Sequence, residues 1–98
     1  MIQRLLPPDV KPIFRLGNIV LSANALAQIP IEDVTVALGR HAQGDWGDIS
    51  GMDVRGNEAG LKHSFGIHSV YRDRNGTEFW IITDDGWKTT TVLLPSDH

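Results

Sequence analysis

Apolar residues recur at steps of three and four through Ile31, Val34, Leu38 and Ala42, which predicts an amphipathic helix starting at Pro30 or Ile31. Its ends agree with this reading. Glu32 and Asp33 lie in the first turn and Arg40 and His41 in the last, each favoured by the helix dipole. Gly44 suits the residue just past the end, where left-handed backbone is needed. Upstream, Ser22 has the chemistry of an N-cap for a short helix over residues 23–28, halted ahead of Pro30. Before it, the apolar runs 13–16 and 19–21 flank Gly17-Asn18. That dipeptide suits either a small N-terminal hairpin or a single strand kinked at Gly17.

The last third of the chain reads as strands. Residues 65–73 and 77–84 are rich in β-branched and aromatic side chains, and Thr89 to Leu94 form a third run ended by Pro95. Asn75-Gly76 suggests a type I′ turn between the first two. That turn would set Tyr71 against Trp80, Ser69 against Ile82 and Val70 against Ile81. In the next pair, Thr91 would face Trp80 and Thr90 would face Ile81. Alternation then places Val70, Phe79, Ile81, Val92 and Leu94 on a core face. The opposite face would carry Ser69, Tyr71, Trp80, Thr89 and Thr91, with Ile67, Ile82 and Leu93 at its margins. Apolar bodies with polar tips suit a partner-contacting surface. The expected fold class is α+β: two short helices packed on one face of a small antiparallel β-sheet, in the order β-α-α-β-β-β.

Six of the ten glycines fall between residues 44 and 66. Ser50 to Asp53 has capping-box spacing, but Gly51 and Gly56 weaken a helix. We therefore expect a Gly-rich loop region over 44–64, with one or two frayed turns within 52–59. Pro7, Pro8 and Pro12 mark residues 1–12 as an extended arm.

The chain has 98 residues, 41% hydrophobic and 21% charged, which fits one globular domain. Its net charge of −3 argues against a strongly basic nucleic-acid binder. Cys is absent, which removes disulfides and thiolate metal sites. No apolar run approaches the ~20 residues of a membrane helix, and residues 1–8 are too short for a secretory leader, so a cytoplasmic protein with no membrane contact is expected. His41, His63, His68 and His98 lack paired spacing, and Asp45, Asp48 and Asp53 complete no calcium loop. No phosphate loop or dinucleotide fingerprint is present, so neither metal nor cofactor is expected.

Four segments carry a resemblance: Arg40-His41-x-x-Gly44-Asp45-Trp46-Gly47, Ser69-x-Tyr71-Arg72, Phe79-Trp80-Ile81-Ile82-Thr83 and Thr90-Thr91-x-Leu93-Leu94-Pro95. In this order they resemble a family of short bacterial proteins found on plasmids, phages and integrated elements. The resemblance implies a mobile-element setting rather than a chemistry. Two functional readings remain. In the first, a non-enzymatic interaction protein, anti-defence or regulatory, binds a protein partner. It uses Asp45 and Trp46 of the Gly-rich turn with Ser69, Tyr71, Trp80, Thr89 and Thr91. In the second, the element order resembles the barnase–colicin type of small ribonuclease, a likeness of fold that carries no function with it. RNA would then be the partner, with His41 or His68 acting together with Arg72 in acid–base and phosphate contact. A homodimer formed through the open face or an edge strand is a third arrangement.

Overall fold

The computed structural model describes residues 5–98. The elements are β1 (Asn18–Leu21), α1 (Ala23–Gln28), α2 (Ile31–Ala42), α3 (Gly51–His63), β2 (Ile67–Arg72), β3 (Glu78–Thr83) and β4 (Thr89–Leu93). They form an α+β fold around one four-stranded sheet in the order β1-β4-β3-β2. The sheet is mixed rather than purely antiparallel: β1 runs parallel to β4. No N-terminal hairpin forms among the described residues. The chain instead kinks at Gly17 and enters β1 as one strand, with Asn18 N–H donating to Lys88 C=O at 2.9 Å.

Local chemistry accounts for α1 and α2. Ser22 Oγ accepts from Ala25 N–H at 3.0 Å. At the end of α2, Asp45 N–H reaches Arg40 C=O at 2.9 Å and Gly44 N–H reaches His41 C=O at 3.2 Å. This is the paired closure that a left-handed Gly44 permits. Val34, Ala37, Leu38, His41 and Ala42 face inward, whereas Ile31 is exposed. Of the arm expected over 1–12, residues 1–4 lie outside the described part. The rest turns at Val10, whose N–H donates to Pro7 C=O, and lies against Gly39 of α2.

Residues 51–63, expected to hold only one or two frayed turns within 52–59, form a helix of 13 residues capped by Ser50, which accepts from Asp53 N–H at 3.1 Å. Tertiary contact overrides the weak glycine propensity. A Cβ on Gly60 would lie 2.7 Å from Gly66 C=O and from Ile67 Cδ1, so glycine is what allows α3 to approach β2 this closely. From α3, the buried Asn57 side chain pairs with the free edge of β2. Its amide donates to His68 C=O at 2.8 Å and its carbonyl accepts from His68 N–H at 2.9 Å. Two residues on, Val70 N–H donates to Trp46 C=O and Asp48 N–H donates to Val70 C=O. The edge strand is thus closed without a fifth strand.

The β2–β3 turn differs from the expected one, and the difference inverts β2. Gly76 N–H donates to Asp73 C=O and Asp73 N–H to Thr77 C=O, while the Asp73 carboxylate takes the N–H groups of Asn75 and Thr77. Gly76 alone has positive φ, +82°, so a type I turn with a glycine bulge replaces the type I′ turn. The pairing becomes Val70 with Trp80, Tyr71 with Phe79 and Ser69 with Ile81. A slip of one residue moves every β2 side chain to the other face. Between β3 and β4 the slip is two residues, Trp80 facing Leu93 and Ile81 facing Val92, which leaves the faces unchanged. The inner face therefore holds Ile67, Ser69, Tyr71, Phe79, Ile81, Thr83, Thr90 and Val92, all buried in the core.

Candidate functional site

Two polar constellations stand out, one sealed and one open. The sealed one lies inside the core. His41, Ser69, Thr83 and Thr90 are fully buried. Thr90 Oγ1 donates to Leu16 C=O at 2.6 Å, and Thr83 and Thr90 hydroxyls lie 2.7 Å apart. His41 Nε2 lies 2.9 Å from Thr83 Oγ1, and His41 Nδ1 bonds Ser69 Oγ. Counting hydrogens fixes the directions from Leu16 as far as His41 Nε2, and the neutral ring fixes the last one. The one hydroxyl hydrogen of Thr90 goes to the carbonyl, so Thr83 must donate to Thr90. His41 Nε2–H then donates to Thr83, and Nδ1 accepts from Ser69 O–H. The imidazole is neutral, and burial holds it down to about 3, helped by the neighbouring charge of His68.

The four segments that carry the family resemblance meet around this network. Tyr71 O–H donates to Asp45 C=O at 2.7 Å, and burial pushes its phenol up. Arg40 lies over the Tyr71 ring at 4.8 Å and forms a two-pronged pair with the Asp45 carboxylate at 2.8 and 3.1 Å. That pair holds the Asp45 carboxyl below the usual range and raises Arg40. Trp46 is half-buried against the core, and Gly47 bridges to Val70. The Gly-Asp-Trp-Gly turn is thus committed to closing the β2 edge.

The open constellation is the outer face of the sheet. It carries His68 and Val70 from β2, Trp80 and Ile82 from β3, and Thr89, Thr91 and Leu93 from β4. Most are half-buried, and Val20 of β1 is exposed. Trp80 lies between Val70 and Leu93, with its ring edge-on to His68 at 5.1 Å. Its Nε1–H donates to Glu78, which also pairs with Arg72. The His68 imidazole is held low, chiefly by burial.

Of the residues expected on this face, Trp80, Thr89 and Thr91 lie there. Ser69 and Tyr71 do not: the register slip puts them in the core. Val70 takes the place expected for Tyr71 and leaves the core set. Asp45 and Trp46 lie on the far side of the β2 edge from Thr89 and Thr91 and form no common patch with them. His41 is sealed on the inner face, while His68 and Arg72 point outward. Arg72 and His68 stand four residues apart on one strand, roughly 13 Å. His41 therefore shares no face with His68 and Arg72, and only those two of the ribonuclease set lie together.

Among the described residues, no group of three His, Asp or Glu could hold a metal ion, and no helix is long and apolar enough to cross a membrane. No protein-family model, curated protein or solved structure matches the chain.

Proposed function

We propose that the protein is a small non-enzymatic interaction module of a mobile genetic element, acting in the cytoplasm by binding a protein partner through the outer face of its sheet. The observation that carries this reading is Trp80, half-buried on a face that it shares with His68, Val70, Ile82, Thr89, Thr91 and Leu93. Tryptophan is enriched among the residues that carry interface energy. The sealing of His41 takes one of the two candidate histidines out of the ribonuclease reading and leaves His68 with Arg72. The mobile-element setting, and with it an anti-defence or regulatory role, rests on the four resembling segments.

The test is affinity capture from a bacterial lysate with the wild type, Trp80→Ala, Thr91→Arg and a Glu58→Ala control, each first shown to be folded. A protein held by the wild type and the control should be lost from both outer-face variants. Truncating an anchor of this kind weakens binding by about 30-fold or more. Capture that survives Trp80→Ala, or recovery of RNA in place of a protein, overturns the reading.

A further inference from the structure

After β4 the chain makes a single 3-10 turn, Pro95–Asp97, and comes back over the end of the outer face. One carboxylate sets its path. Asp97 Oδ2 accepts from the Ser22 hydroxyl at 2.6 Å and from Leu94 N–H at 2.9 Å. Asp97 Oδ1 accepts from the Asn24 amide at 2.7 Å. These bonds, Ser22 foremost, hold the Asp97 carboxyl below its usual range. The next residue, His98, presents its ring edge-on to Trp80 with centroids 5.4 Å apart. Leu93, opposite Trp80 in the register, is only 8% exposed although it belongs to the outer face.

The covering segment is itself exposed from Pro95 to His98. It is held by hydrogen bonds at its rim and buries little of its own surface. A segment held in this way opens at a small fraction of the cost of unfolding.

We propose that residues 95–98 form a strap that competes with the partner: latched by Asp97, it keeps Trp80 capped by His98, and it must lift before the outer face can bind. This inference rests on the outer face being the binding surface. A partner then meets only the fraction of molecules with the strap open, and its apparent affinity falls by that fraction. Releasing the latch restores it.

The probe is 1-anilinonaphthalene-8-sulfonate, titrated into the wild type, Asp97→Ala, His98→Ala and Asp97→Ala/Trp80→Ala. In parallel, NMR follows the nuclear Overhauser contact between the His98 ring and the Trp80 indole. The wild type should show the contact, and Asp97→Ala should lose it while the amide spectrum of the sheet is kept. Both single variants should bind the dye about tenfold more tightly than the wild type, as for a competent state populated at one part in ten. Adding Trp80→Ala should cancel the gain. Persistence of the contact in Asp97→Ala shows that Asp97 is not the latch. Loss of the contact with unchanged dye affinity shows that the strap covers nothing. A gain that survives Trp80→Ala places the dye elsewhere. Each of these three results overturns the strap and leaves the outer-face reading to the capture experiment, which alone decides it.

Discussion

Acidification should destabilise this protein well above the range in which its carboxylates titrate, because of His41. The unfolded chain carries an ordinary imidazole near 6.5, whereas the buried one is held down to about 3. Between those values the folded state binds fewer protons than the unfolded state. Stability is therefore complete above 6.5 and is lost as the pH falls toward 3. Geometry gives the same sign, since a second ring proton would place a charge in the sealed core. Each pH unit inside the window costs about 1.4 kcal/mol, so going from pH 7.5 to pH 5 removes about 2 kcal/mol. For a domain of this size that lowers the melting temperature by roughly 8–16 °C. Thermal and urea unfolding, followed by circular dichroism, measure this directly. Asp33, Asp45 and Asp97, all held below the usual carboxylate range, begin to contribute only at lower pH. His68 is also lowered and adds in the same direction, so His68→Gln supplies its share by subtraction. His41→Gln, which can still donate and accept, should be less stable at neutral pH but should lose most of the pH slope. A melting temperature that is flat from pH 7.5 to pH 5, or an unchanged slope in His41→Gln, would refute the sealed neutral imidazole.

Three further substitutions probe the polar framework. Ser69→Ala leaves His41 Nδ1 buried without a donor and should cost about 1–3 kcal/mol in urea unfolding; a loss well below 1 kcal/mol would contradict the deduced hydrogen-bond directions. Asn57→Ala strips both bonds from the His68 backbone and should cost about 2 kcal/mol or more, with increased self-association by light scattering as the β2 edge opens. Gly76→Ala forces a side chain into left-handed backbone and should cost roughly 1–2 kcal/mol, whereas Asn75→Ala should stay within about 0.5 kcal/mol. Equal losses at the two positions would restore the type I′ turn.

Features encoded within one or two turns of chain could be read directly from the sequence. Ser22, Gly44 and the α2 stripe act within a few residues of themselves, so their helices and caps followed from composition and spacing alone. The three C-terminal strands were legible for the same reason, as was the inward orientation of Phe79, Ile81 and Val92. The register of β2 was not. It hung on whether Asp73 or Asn75-Gly76 organised the turn, and the Asp73 carboxylate decided it by capturing two amides. That one-residue difference exchanged Tyr71 and Ser69 for Val70 and His68 on the outer face. Long-range contact decided everything else. α3 forms against its glycine content because Gly60 lets it lie on β2 and Asn57 finds an unpaired edge there. β1 pairs in parallel with β4, a partner some seventy residues away in sequence. His41 looks like an ordinary cation at a helix terminus in the sequence, where its spacing to Asp45 is visible. Only the fold brings Ser69, Thr83 and Thr90 around it, and water is then excluded, which makes the neutral form the stable one.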